Sequence, residues 1–471
     1  MKHAAWFFLL VLSACNENLS HTPPPMDHFF APAGVALTSV AGTNAVSGGN
    51  QALLVVSSNF DLRYDKEQGA TLLSVDPGRY DDATASGGSA GRPAGALVKL
   101  GPGAQLGSFA GPVGVADEAT CPGVGPAQAF VASRYTSKLY RFPIGAGGAL
   151  APCTGILCEL GLDKDLLDPA PIGFSCRSDG LRRSMWVGYL RSPPIGSVPG
   201  RTGWLSEFDL GDLAQAPRTI ALGSGPVGDM VYDRLTDRLY AVGRFAGLSA
   251  PLFLVDLPAC AHHAVDCPTA RVQSLDLYSS LRGAELVGIA LSNPQPGRQR
   301  LAYVSAKVYD EAYAMATLSR PPYDLGGALL VVELSEGVVG LTSARVRKVI
   351  PLGLGAGSVR VLPVRPGLED IVVVPSTGDG TLQVYDGEVE AVVRVVSLDE
   401  TTGVPEAGRH PSAMAVEDRG AEALVYVAAF SDATVSVLRV PLATPSAADL
   451  LRHPAGTPGA GKPIRIGSVQ P

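Results

Sequence analysis

Three ionisable residues occupy positions from which this chain could do chemistry. His410 follows Arg409 and precedes the apolar stretch Pro411-Ser-Ala-Met-Ala-Val. Arg360 lies within Gly357-Ser-Val-Arg-Val-Leu, and Asp229 interrupts Gly225-Pro-Val-Gly-Asp-Met-Val. An acid, a histidine and an arginine brought together make an acid/base set, and Arg360 with Arg409 would make an anion-binding corner. Each residue also has a plainer role. An inward Asp hydrogen-bonds backbone or water, and a His and an Arg ahead of a strand are ordinarily solvated. These three are therefore candidates, and no residue is assigned as catalytic. A second group, His262, His263 and Asp266, sits between Cys260 and Cys267. Adjacent histidines point apart in an extended chain, so the spacing fits a disulfide-closed surface loop and no metal site is expected. The acidic tract Asp61 to Glu67 and the segment Asp379-Gly-Thr lack the calcium-loop spacing. No Gly-x-Ser-x-Gly, Walker, His-Glu-x-x-His or Cys-x-x-Cys-His pattern occurs, and no cofactor is expected.

The elements that must position these residues follow from composition and repetition. The chain has 471 residues, 46% of them hydrophobic and 17% charged, which favours an ordered fold over disorder. Its 55 glycines and 38 prolines suit a chain with very many turns. A net charge of −7 with no long basic run excludes nucleic acid as a partner, because phosphate contacts need clustered Lys and Arg.

A four-part pattern recurs seven times. Each unit opens with a small-residue apolar strand, as at Pro32, Gly111, Pro171, Gly225, Leu286, Gly357 and Pro411. A second strand follows, rich in β-branched and aromatic residues, such as Ala52-Leu-Leu-Val-Val or Leu424-Val-Tyr-Val. A third alternates, such as Lys138-Leu-Tyr-Arg-Phe or Thr381-Leu-Gln-Val-Tyr, and a fourth often ends in Leu-Gly. Four strands in regular order, repeated seven times, predict an all-β fold: a seven-bladed β-propeller of four-stranded antiparallel blades. The first strand lines the channel, where only small residues fit side by side. The middle strands are buried between blades and so carry continuous apolar runs. The fourth is an edge that tolerates charge. Insertions are expected at 77–94, 307–326 and 441–461, and the three tyrosines of 307–326 suit an interface.

The segment Leu424-Val-Tyr-Val-Ala-Ala-Phe-Ser-Asp-Ala-Thr-Val-Ser-Val resembles the YVTN-type β-propeller repeat, and Asp370 to Asp386 is a weaker copy. The likeness spans about residues 32–440 and implies the propeller fold. The family includes surface-layer repeats, lactonase-like proteins and electron-transfer enzymes, so it constrains function little. At the N-terminus, Met1-Lys2-His3 is a short basic region and Ala4 to Leu12 an apolar one too short to span a bilayer. The next residues, Leu12-Ser13-Ala14-Cys15, resemble the lipobox of bacterial lipoproteins. That resemblance implies cleavage before Cys15 and a lipid anchor on its thiol, with Asn16 in place of Asp leaning toward the outer membrane.

The chain thus divides into a signal peptide (1–14), a lipidated cysteine with a flexible tether (15–31), and one propeller domain (32–471). Within that domain 441–462 is an irregular excursion and 464–467 the closing outer strand. Six further cysteines in an exported chain suggest up to three disulfides. Cys260 and Cys267 are the simplest pair, and Cys121, Cys153, Cys158 and Cys176 pair among themselves. The function expected is a binding or interaction scaffold in the cell envelope. Its partners would be the membrane, through the lipid, and an envelope protein or surface ligand. The alternative is a lactonase-like hydrolase with Asp229, Arg360 and His410 gathered at one channel mouth.

Overall fold

The computed structural model describes residues 22–39, 51–77, 97–153, 157–162, 165–177, 179–180, 182–191, 202–244, 251–257, 271–277, 284–309, 324–336, 342–398, 410–452 and 461–467. These form seven antiparallel sheets, each made from strands consecutive in sequence. Blade 1 holds β1 (Pro32–Ser39), β2 (Gln51–Ser57), β3 (Ala70–Val75) and β4 (Ala104–Leu106). Blade 2 holds β5 (Ala110–Ala116), β6 (Gln128–Ser133), β7 (Lys138–Pro143) and β8 (Glu159–Gly161). Blade 3 holds β9 (Leu167–Cys176), β10 (Arg183–Arg191), β11 (Thr202–Asp209) and β12 (Arg218–Ser224). Blade 4 holds β13 (Val227–Asp233), β14 (Arg238–Gly243), β15 (Pro251–Asp256) and β16 (Arg271–Asp276). Blade 5 holds β17 (Ala284–Leu291), β18 (Leu301–Tyr309), β19 (Asp324–Glu336) and β20 (Thr342–Leu352). Blade 6 holds β21 (Arg360–Val361), β22 (Ile371–Ser376), β23 (Thr381–Asp386) and β24 (Ala391–Ser397). Blade 7 holds β25 (Pro411–Asp418), β26 (Glu422–Ala429), β27 (Thr434–Pro441), β28 (Asp449–Leu450) and β29 (Arg465–Ile466).

The first strands touch in the cyclic order β1, β5, β9, β13, β17, β21, β25 and back to β1. This is the seven-bladed propeller that the repeat pattern predicts. The core is not central. It is split into seven apolar clusters, one in each gap between neighbouring blades. Middle strands are buried on both faces for this reason, and β2, β14 and β22 read as unbroken apolar runs. At the hub the inner strands approach so closely that a Cβ on Gly34 would lie 2.8 Å from the carbonyl oxygen of Gly111. One on Gly288 would lie 2.8 Å from Cα of Ser358. Small residues in the first strand are a steric requirement.

All seven inner strands carry one extra residue against their second strand near the starting end. The irregularity falls between Pro32 and Gly34, Val227 and Asp229, Leu286 and Gly288, and Pro411 and Ala413. Equivalent steps occur in β5, in β9 and ahead of β21. A bulge bends the strand and re-aims the side chain that follows it.

Among the described residues no strand is exchanged between the first and last blades, and the first and last described segments are held together by packing. Phe29, 1% exposed, lies between Leu53, Val55 and Leu73 of blade 1 and Val435, Val437, Ile464 and Ile466 of blade 7. Gly467, at φ +88, lies directly on the Phe29 ring, where a side chain would clash. The outer position of blade 7 is shared by two short pieces. β28 pairs Leu438 and Arg439, and β29 pairs Val435 and Ser436. Residues 441–462, read from sequence as irregular, therefore supply β28 and a turn of 3-10 helix at Pro445–Ala447.

Two disulfides are present among the described residues. Cys121–Cys176 joins the β5–β6 connection to the end of β9, and Cys153–Cys158 closes a short loop before β8. The first spans 55 residues, for which loop-closure entropy gives about 4 kcal/mol. Cys260 and Cys267 lie outside the described residues. If the seam is held by Phe29, Phe29→Ala should lower the unfolding free energy by about 3–5 kcal/mol in urea titrations. A loss below 1 kcal/mol would place the closure elsewhere.

Candidate functional site

In each blade the inner strand starts on the face that also carries the connection between second and third strands. We call this the entry face. Asp229, Arg360 and His410 all belong to its side of the ring. Asp229 follows the bulge of β13, and its carboxylate accepts hydrogen bonds from the Met230 amide (2.9 Å) and the Ile289 amide (3.2 Å). The second of these ties β13 to β17. Burial pushes the Asp229 carboxyl above the usual carboxylate range, while the Arg360 charge and the two amides pull it down. Arg360 itself donates to the Val359 carbonyl oxygen at 2.8 Å. His410 shares a hydrogen bond of 2.7 Å between Nδ1 and Ser431 Oγ, in the β26–β27 turn of its own blade. Asp229 and Arg360 are thus coupled by charge, and the hydrogen bond of His410 stays within its own blade. Arg409, His262, His263, Asp266 and Cys15 lie outside the described residues, as do 310–323 of the tyrosine-bearing insertion. Among the described residues no group of three or more His, Cys, Asp or Glu could hold a metal ion.

The same face carries a feature that the repeat reading did not single out. Phe430 of blade 7 packs on Phe60 of blade 1 with ring centroids 5.2 Å apart. Phe60 packs on Phe109 at 5.4 Å, and Phe109 on Tyr135 of blade 2 at 6.2 Å. The chain of contacts extends to blade 3, where Arg134 lies 3.8 Å from Asp168 beside Leu167. Phe60, Phe109 and Phe430 are half-buried, whereas Tyr135 and Leu167 are 44% and 43% exposed. These contacts make a crescent over four blades, aromatic across blades 7, 1 and 2 and carried to blade 3 by the Arg134–Asp168 pair.

A buried polar network holds the crescent in place. Asn59, fully buried, donates through Nδ2 to Ser108 Oγ (2.9 Å) and the Tyr64 carbonyl oxygen (3.1 Å). Its Oδ1 accepts the Tyr64 amide at 3.1 Å. Ser133 Oγ donates to the Ser108 carbonyl oxygen at 2.9 Å. Backbone strain adds to this. Phe109 has φ 53, and Leu62 and Asp168 have φ 53 and 55, conformations that L side chains rarely adopt. Such outliers persist only where the surroundings over-determine them, and they gather at ligand-binding sites. The signal in the sequence was an aromatic residue one to three positions after the second strand, as in Ser57-Ser-Asn-Phe, Ser133-Arg-Tyr and Ala429-Phe.

The opposite face is stitched by polar contacts between blades. Arg300 donates to Asp233 Oδ1 at 3.0 Å across blades 5 and 4. Asn293 Nδ2 and the Tyr303 hydroxyl donate to Asp370 at 2.9 and 3.1 Å across blades 5 and 6. Burial raises the Asp370 carboxyl, and these hydrogen bonds counter it.

No protein-family model matches the chain, and no curated protein does. Solved structures do. The chain is similar to the hydrazine synthase of Kuenenia stuttgartiensis, at 10% identity over 89% of this chain and 98% of that one, with a TM-score of 0.47. It is similar to Sqt1 from Chaetomium thermophilum, at 14% identity over 93% and 87%, with a TM-score of 0.46. A third is the dihydro-heme d1 dehydrogenase NirN in complex with DHE, at 13% identity over 79% and 59%, with a TM-score of 0.40. No activity is transferred from any of them to this chain.

The coupling inside the channel has a pH signature. A carboxyl raised on folding stabilises the fold below its unfolded pKa, and that contribution is lost as pH rises through the folded value. Thermal melts of Asp229→Asn should therefore gain on the parent between pH 4 and pH 7. Those of Arg360→Gln should fall behind it over the same interval. Curves that run parallel would contradict the coupling.

Proposed function

We propose that this chain is an exported, lipid-anchored propeller of the bacterial cell envelope that works as a binding scaffold. Its anchor is the lipid on Cys15, its location the outer membrane, and its binding surface the crescent of the entry face. One observation carries the reading: a strained and buried framework displays apolar side chains on that face, where solvation alone would favour polar ones. The ionisable candidates support it from the other direction. Asp229, Arg360 and His410 each hydrogen-bond to protein atoms. Two disulfides suit an oxidising compartment. Among the described residues no helix is long and apolar enough to cross a membrane.

A second reading, a lactonase-like hydrolase at the channel mouth, draws on Asp229 alone, a carboxyl inclined to hold a proton beside an arginine. Purified protein should hydrolyse simple lactones no faster than buffer. Turnover abolished by Asp229→Asn would reverse the choice between the two readings. For the anchor, Cys15→Ser should move the protein from the membrane fraction to the soluble fraction, followed by immunoblot of fractionated cells. Unchanged membrane association would remove the lipoprotein reading.

A further inference from the structure

The partner of the crescent can be inferred from where the chain leaves the domain. Thr22, the first described residue, accepts a hydrogen bond through its carbonyl oxygen from the Asp65 amide at 3.2 Å. Asp65 belongs to the β2–β3 connection, on the entry face. Phe30 packs edge-on against Tyr64 of the same connection, with centroids 4.9 Å apart. Thr22 therefore lies against the β2–β3 connection, which also carries Phe60. From Cys15 to Thr22 the chain advances seven residues, which reach about 25 Å at full extension.

We propose that the apolar crescent lies against the headgroup region of the bilayer, with the anchor on Cys15 holding it there. The inference rests on the lipid-anchored reading above and names the partner of its binding surface. Second strands of six to nine residues make the ring roughly 20–30 Å deep along its channel. A tether starting on the entry face would use most or all of its length passing down the rim, which favours the entry face as the one that meets the membrane. The chemistry of the crescent fits the same partner. The Phe60 ring is inclined by 64° to Phe109 and 56° to Phe430, so the cluster offers no coplanar surface for stacking a flat base or sugar. What it displays is a tyrosine and a leucine at its exposed end, backed by phenylalanines. That mixture partitions into the interfacial zone of a bilayer. Asn59, Ser108 and the left-handed Phe109 fix these side chains beforehand, so little ordering is needed on contact.

The test uses the full-length lipidated protein reconstituted into phosphatidylethanolamine/phosphatidylglycerol vesicles, with and without a dibrominated phosphatidylcholine as quencher. Tyr135→Trp and, separately, Leu167→Trp report from the crescent. Leu235→Trp, at a site 68% exposed on the opposite face, is the control. Flotation of the parent and of Cys15→Ser is measured alongside. The expected result is flotation of the parent, loss of most of the added emission from both crescent variants with brominated lipid, and none from the control. Flotation without quenching at either crescent position overturns the docking proposal and leaves the anchor intact. Failure of the parent to float overturns the anchor reading, and the docking proposal with it. Shielding of the crescent from aqueous iodide in whole envelopes, without quenching by brominated lipid, would assign the surface to a protein partner and also overturn the proposal.

Discussion

Seven inner strands must fit side by side around one axis, and the rest of the molecule follows from that crowding. Gly34 and Gly288 mark the closest approaches, where even a methyl group would meet a neighbouring backbone. With so little room at the hub, apolar volume can only accumulate further out, in the gaps between blades. This is why the core is seven separate clusters and why second strands such as β2, β14 and β22 are buried on both faces. The bulge near the start of every inner strand belongs to the same geometry. It bends the strand at the hub, and in blade 4 it turns Asp229 onto the backbone of blade 5.

A ring built this way needs a seam, and among the described residues this one is closed without sharing a strand. Phe29 and Ile466 bring the two chain ends into one apolar cluster, so the N-terminal segment is part of the fold from about Thr22 onward. That has a consequence for function. Thr22, the first described residue, is hydrogen-bonded on the entry face, and the crescent lies on that face, over blades 7, 1, 2 and 3 on both sides of the seam. The opposite face is cross-linked by buried acids with Arg300, Asn293 and Tyr303. The aromatic row Phe430, Phe60, Phe109 and Tyr135 belongs to the entry face, whereas the opposite face, which also exposes Leu235 and Val389, is braced by buried acids between blades.

The architecture was legible in the sequence because each strand position has its own physical requirement. Small residues at Pro32 to Leu37, an unbroken apolar run at Leu424 to Ala429 and alternation at Thr381 to Asp386 each identify a place in the blade. Outer strands were less legible, since an exposed edge imposes little on its residues. In blade 1 the sequence pattern ends at Leu100-Gly101, whereas the regular strand is Ala104–Leu106 and Lys99 makes only an isolated bridge to Val75. The pairing of Cys121 with Cys176 required knowledge of which turns of blades 2 and 3 meet. The crescent was hidden for a similar reason. Phe60, Phe109, Tyr135 and Phe430 sit in four different connections, and nothing local says that those connections share a face. Asp229 and Arg360 were identifiable as inner-strand charges, but their mutual influence depends on the ring.

The central claim is that the entry face is the one turned toward the membrane. Hydrogen–deuterium exchange of the full-length lipidated protein, compared between vesicles and detergent micelles, addresses it without any substitution. The account predicts slower exchange in vesicles for residues 58–69, 133–137 and 429–433, with residues 362–370 on the opposite face unchanged. Slowing confined to 362–370, or no difference at either face, would contradict it.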